Sequence, residues 1–232
     1  LLVDEAYALS CAAATRSGGA TMKAFPYVAA TLVTLALSSA ALAADAGPPT
    51  TQQAAEKLAT ATCAACHGAA GRSTLSPFPN LAAQTAPYLE AQLKAFRDQK
   101  RADPDAQAYM WGLASPLNDT MIRALAAYYA AQHPARGQPG NSKLLATGKQ
   151  IFDKGMPAEG IPPCNVCHGA NGEGNAMFPR IAGQHAPYLV KQILLIQNAL
   201  RVAPVMHGLI KDMNRDEMLA VTTYLASLGG QP

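Results

Sequence analysis

Two short stretches, Cys63-Ala64-Ala65-Cys66-His67 and Cys164-Asn165-Val166-Cys167-His168, have the residue types and spacing to do chemistry. C-x-x-C-H is the attachment pattern of a c-type haem. Two intervening residues let both thiols reach one porphyrin edge and add across the vinyl groups, and the next residue turns an imidazole under the iron. A redox dithiol has no need of the following histidine and belongs in a βαβ pattern that this sequence lacks. A zinc site would want its four ligands in close pairs, whereas these motifs lie about a hundred residues apart. The sequence therefore predicts two covalently attached haem c groups.

The axial partner of each histidine decides what such a haem does. Methionine gives a high-potential carrier, a second histidine lowers the potential, and an open position admits ligand or peroxide chemistry. Met110 and Met206 occupy equivalent places, each seven residues before an apolar residue and an asparagine, Leu117-Asn118 and Met213-Asn214. No other methionine pairs across the two copies, so Met110 and Met206 are the expected sixth ligands and His67 and His168 the fifth. His207 is the main competitor, but its counterpart is Trp111, which cannot ligate. His185 matches Thr85 and His133 lies between the copies; both are expected to be solvated. Pro79 and Pro179 follow their histidines by twelve and eleven residues. A carbonyl there could accept the imidazole N–H and orient the ring, or the proline could mark a turn.

Around these residues the chain repeats itself. Phe78-Pro79-Asn80-Leu81-Ala82-Ala83-Gln84 returns as Phe178-Pro179-Arg180-Ile181-Ala182-Gly183-Gln184, and Ala86-Pro87-Tyr88-Leu89 as Ala186-Pro187-Tyr188-Leu189. The register slips by four residues in the loop holding Asp103-Pro104-Asp105 and then resumes. Two copies are too few for a solenoid and read as two domains, residues 44–132 and 143–232, with a Gly- and Pro-rich linker at 133–142. Each copy reads as helical: one helix before the cysteines (near 51–60 and 143–154), one opened by Pro87 or Pro187, and one capped by Asn118 or Asn214. Asn214 with Glu217 has capping-box spacing, Leu189, Ile193 and Ile196 form a helical apolar face, and Gly229-Gly230 is expected to end the last helix. No run alternates as a strand, so the class is all-α.

Met22-Lys23, the uncharged apolar run Val28–Leu42 and Ala41-Leu42-Ala43 read as a cleaved signal peptide over 22–43. Residues 1–21 read as an upstream artefact. Export agrees with the cysteines, since the four after Ala43 all belong to the two motifs, and in a bacterium the destination is the periplasm. From Ala44 on, sixteen Lys and Arg face thirteen Asp and Glu with no basic stripe, which argues against nucleic acid.

These features resemble the class I cytochrome c fold, and the tandem arrangement is similar to the dihaem cytochrome c4 family. The resemblance rests on the paired C-x-x-C-H-G, the Phe-Pro-x-[Leu/Ile]-Ala-x-Gln segment, Pro-Tyr-Leu followed by Gln92 or Gln192, and Arg101 and Arg201 before the methionines. It implies two tandem class I domains, each wrapped around one haem. The axial pairs would be His67 with Met110 and His168 with Met206, and the Pro79 and Pro179 carbonyls would hold the imidazoles. The implied function is electron carriage from a quinol-oxidising complex such as a cytochrome bc complex, or from a dehydrogenase, to a terminal oxidase or reductase, with peripheral association with a membrane complex allowed. The alternatives are a dedicated subunit of a flavin- or quinone-dependent dehydrogenase and, with less support, a dihaem peroxidase. Departures are the longer first methionine loop, Ala83 in place of Gly183, and the absence from the first helix of the Gly148-x-x-x-Phe152 pattern.

Overall fold

The computed structural model describes residues 49–230, and the expected export segment lies outside them. Helix α1 (Thr51–Leu58) starts in a capping box: Thr50 Oγ1 accepts from the Gln53 amide and the Gln53 side chain accepts from the Thr50 amide. It continues through a wider turn, Ala59–Cys63, directly into α2 (Ala64–His67). α3 (Ala86–Arg97) carries Pro87 in its first turn. A turn at Ala106–Met110 leads into α4 (Trp111–Ala114), and α5 (Asp119–Ala130) is capped by Asn118. The second half follows the same order with α6 (Ser142–Lys154), α7 (Asn165–His168), α8 (Ala186–Gln197), α9 (Pro204–Ile210) and α10 (Arg215–Ser227). The capping box expected at Asn214 and Glu217 is present. Among the described residues the only extended pairing is two isolated bridges, Met156 with Ile161 and Asn175 with Phe178. No described helix is long and apolar enough to cross a membrane.

Each half has its own apolar core. The first gathers Ala55, Ala59, Ile122 and Leu125, the second Phe152, Val221, Leu225 and Ile196. Leu189 and Ile196 are buried in the second core and Ile193 packs against it, as the helical spacing requires. In both halves the first helix crosses the last. Ala55 and Ala59 hold the crossing in the first half, and Gly148 and Phe152 hold it in the second. A Cβ on Gly148 would lie 2.1 Å from the Ala220 carbonyl oxygen, so the close approach of α6 to α10 demands glycine.

The last helix ends at Ser227 with Leu228 as its cap, so Gly229 is the first residue beyond it, where the glycine pair is expected to stop the helix. The glycines also serve a contact, because a Cβ on Gly229 would fall 1.5 Å from the Gly137 nitrogen. The connecting segment lies along this end of the second half, with the Gln138 amide donating to Ala226 O (2.9 Å) and the Gly230 amide to Ala135 O (2.9 Å). Ala83 adopts the same left-handed backbone as Gly183 (φ 56° and 71°), so that departure changes the strain and leaves the path of the chain intact.

Candidate haem sites and the surface between them

One cavity of about 1190 Å³ runs through both halves. Its walls include Cys63, Cys66, His67 and Met110 from the first half and Cys164, Cys167, His168 and Met206 from the second. The histidines and second thiols lie on short helices, α2 and α7, and the first thiols, Cys63 and Cys164, on the helical residues that cap them, so that i to i+3 spacing sets both sulfurs on one side. The thiols are free and partly buried. Burial pushes the Cys63 thiol up and that of Cys164 up to about 11, so both are neutral until they are used.

Both imidazoles are held alike. His67 Nδ1 lies 2.9 Å from Pro79 O, and His168 Nδ1 lies 2.9 Å from Pro179 O. A carbonyl can only accept, so each Nδ1 carries the proton and each Nε2 is left with a free lone pair. Burial depresses both imidazoles below their ordinary pKa, against the opposing pull of the carbonyl, which keeps the rings neutral and fit to ligate. Phe78 and Phe178 meet the same rings edge-on, at centroid separations of 6.3 and 6.4 Å.

Met110 and Met206 both reach the cavity and are partly buried. His207 does not line it. Its Nδ1–H donates to Ile196 O (2.8 Å), while Trp111, its counterpart, donates from Nε1 to Arg101 O (2.8 Å). Each ring ties its methionine segment back to the middle helix or the turn that ends it. Met177 and Met213 also touch the cavity, Met177 largely exposed and Met213 as part of the core, where its counterpart is Leu117. His133 is exposed, but the expectation that His185 is solvated is wrong. His185 is 7% exposed, with Nδ1 3.0 Å from Gln138 Nε2, because the connecting segment covers it.

Two polar groupings join the halves. In the first, the Arg101 guanidinium donates to Asp103 (2.8 Å), Gln92 (2.8 Å) and Gln192 (3.0 Å). Arg201 donates to Gln192 (2.5 Å), to Tyr88 Oη (2.6 Å) and, more weakly, to Gln92 (3.4 Å). Burial works against the charge on Arg101, but Tyr188, Tyr88 and Asp103 outweigh it and hold the pKa above the usual arginine value. Arg101, Arg201, Gln92, Gln192, Tyr88 and Tyr188 line the same cavity as the two histidines. In the second grouping, Gln184 Oε1 accepts from the Asn80 amide (2.9 Å) and its Nε2 donates to Asn80 O (3.0 Å). Gln84 does the reverse, accepting from the Arg180 amide (2.6 Å) and donating to Arg180 O (2.9 Å). In the sequence these arginines and glutamines stand out only as a repeated pattern, with no evident task. Their signal was that polar residues recur in register within otherwise apolar helices and turns.

The residues fit haem. The void is large and mostly apolar, each half brings two thiols and an orientated neutral imidazole, and two guanidiniums stand against one buried carboxylate, ready for further acidic groups. Tyr129 Oη adds to this: it is buried on the cavity wall beside the Cys63 thiol, with no other hydrogen-bond partner among the described residues.

Comparison with known proteins agrees. The family described as Cytochrome c matches twice, over residues 52–131 and 145–229. Cytochrome c-552 of Acidithiobacillus ferridurans is 43% identical over 168 residues, 72% of this chain and 73% of its own. Cytochrome c4 of Pseudomonas aeruginosa is 34% identical, covering 85% of this chain and 96% of its own. A thiosulfate dehydrogenase electron acceptor from Stutzerimonas stutzeri is 34% identical, covering 90% and 97%. The solved structure of Acidithiobacillus ferrooxidans cytochrome c4 superposes with a TM-score of 0.67 at 40% identity, over 71% of this chain and 98% of that one.

Proposed function

Since the chain belongs to the dihaem cytochrome c4 family, an all-α pair of tandem class I domains carrying two haem c groups, we propose that it is a periplasmic electron carrier. It accepts electrons from a quinol-oxidising complex or a dehydrogenase and delivers them to a terminal oxidase or reductase. The observation that carries this reading is that both halves present the same set, two thiols, one carbonyl-held imidazole and one methionine, to a common cavity. When bound, each haem supplies a one-electron iron couple.

The protein's own part is to hold, orient and shield. Cys63 with Cys66, and Cys164 with Cys167, hold the groups covalently. His67 and His168 offer Nε2 as fifth ligands, with Pro79 and Pro179 fixing ring orientation. Met110 and Met206 would serve as the sixth ligands, which would leave no open position for peroxide or another small molecule. Arg101 and Arg201, which line the cavity and bond across the halves, would offset the charge of acidic groups carried by the haems. Residues 44–132 and 143–232 are the functional domains, with 133–142 between them.

The test is a pair of variants. Met110→Ala and Met206→Ala should each leave both haems attached, halve the weak sulfur-to-iron band at the red end of the oxidised spectrum, and create one site for carbon monoxide or cyanide. A variant that keeps its full band identifies that methionine as packing only. High-spin iron in the unaltered protein would favour the peroxidase reading. A second reading draws on the relatives that are electron acceptors of thiosulfate dehydrogenase: the chain serves one dehydrogenase as a dedicated partner. Co-purification with a catalytic subunit, and reduction by that enzyme far faster than by a quinol-oxidising complex, would favour it.

A further inference from the structure

The second polar grouping between the halves bears directly on the imidazoles. Pro179 O and the Arg180 N–H belong to one amide. Its oxygen accepts from His168 Nδ1, and its N–H donates to Gln84 Oε1 from the other half, at 2.6 Å. Pro79 O and the Asn80 N–H form the matching amide, whose oxygen accepts from His67 and whose N–H donates to Gln184 Oε1 at 2.9 Å. Each imidazole is thus the first link of a three-part chain, imidazole to amide to glutamine, that ends across the interface. Both glutamines are 6% exposed, so little water competes for these bonds.

Hydrogen bonds in such a chain polarise one another. An acceptor on the amide N–H draws charge toward the amide oxygen and makes it a better acceptor for the imidazole N–H. A better-held Nδ1–H makes the ring a stronger donor at Nε2, which favours ferric over ferrous iron. We infer that Gln84 is a positioning residue for His168 and Gln184 for His67, so that each half sets the redox equilibrium of the other half's haem. The inference rests on the two histidines being axial ligands, as proposed above.

The crossing makes it testable. In the oxidised holoprotein, the hyperfine-shifted Nδ1–H resonances of His67 and His168, assigned by selective labelling, serve as separate reporters during a redox titration. Gln84→Met, close in size and unable to accept from the amide, should move the His168 resonance and make that haem easier to reduce. The change in its oxidation equilibrium is about two- to tenfold, with the His67 reporter unmoved. Gln184→Met should do the mirror image. Gln84→Glu keeps an acceptor oxygen and should hold the His168 haem at or below its original potential, a rescue that lost packing would not produce. Thr85→Val removes another contact between the halves, Thr85 Oγ1 to Ala176 O (2.6 Å), and should move neither reporter. Equal movement of both reporters in Gln84→Met, movement of only the His67 reporter, no movement, or the same movement in Thr85→Val or Gln84→Glu overturns the inference. If the unaltered protein shows no hyperfine-shifted imidazole N–H at either histidine, axial ligation itself fails, and that result is distinct from all of these.

Discussion

The two halves reach the same arrangement of ligands while placing their extra residues on opposite sides of it. In the first half α1 runs through Ala59–Cys63 into α2 without leaving the helix, and the additional residues lie in the loop before Met110. In the second, α6 stops at Gly155, a loop pinned by the Met156–Ile161 bridge intervenes, and the chain returns when the Cys164 amide donates to Phe152 O (3.0 Å). Its methionine segment is correspondingly short. What stays fixed between the copies is the wall of the cavity and the surface where the halves meet. The approaches to those two places differ between the copies.

The first half's extra loop has a task at the meeting surface. Asp103 is buried and gives Arg101 a carboxylate partner, and Asp105 forms an ion pair with Lys191 of the second half. Arg201 has only neutral partners among the described residues. Asp103→Ala makes the two arginines alike and should have the largest effect. It leaves the Arg101 guanidinium with Gln92, Gln192 and the acidic groups of the haems, at a cost of about 3 kcal/mol, the low end for breaking a buried pair, which denaturant titration followed at the haem bands would read. A loss below about 1 kcal/mol would mean that the loop is incidental and the halves are equivalent at this surface.

Next comes the helix crossing. Gly148→Ala puts a methyl against the Ala220 carbonyl, and no side-chain rotation can relieve it. It should destabilise the second half by about 1–3 kcal/mol. In the first half alanine already stands at the crossing, so Ala55→Gly should cost only about 1 kcal/mol, from helix propensity and lost contact. Similar losses in the two variants would erase this contrast.

Lys191→Met removes the ion pair with Asp105. Both side chains are more than a third exposed, so solvent screens the pair and the loss should stay under about 1 kcal/mol. The smallest effect concerns His185, which stands where the first half has Thr85. Burial holds its pKa below the ordinary imidazole value. As the pH falls below about 6.5 the unfolded chain takes up a proton there that the folded chain refuses until lower pH. Stability therefore declines on the acid side through this residue. His185→Thr should flatten part of that slope and leave stability at pH 8 nearly unchanged; an unaltered acid slope would mean that the buried ring does not contribute.

Much of this could be read from the chain before the fold was known. Thiol and histidine spacing is local chemistry, Asn214 with Glu217 is a local cap, and Pro87 and Pro187 open their helices by their own geometry. Met110 and Met206, both of which reach the cavity, stood out only because the sequence offers a second copy for comparison. The failures share one cause, which is contact with something distant in sequence. His185 reads as a polar loop residue because nothing near it announces that Gln138 will cover it. Asp103, beside a proline in an inserted loop, carries no local sign of burial, yet it is 1% exposed against an arginine that itself reaches into the other half. Gln84 and Gln184 were visible as a repeat, and only the fold shows that each one bonds to its counterpart's neighbourhood.

That exchange of glutamines is even-handed in space and lopsided in time. A chain made from its N-terminus finishes α1 to α5 while the oxygen that will accept from the Asn80 amide is still 104 residues away. The second half, arriving later, meets Gln84 already standing. The earlier-born site therefore waits for its last neighbour, and the later-born one is complete on arrival.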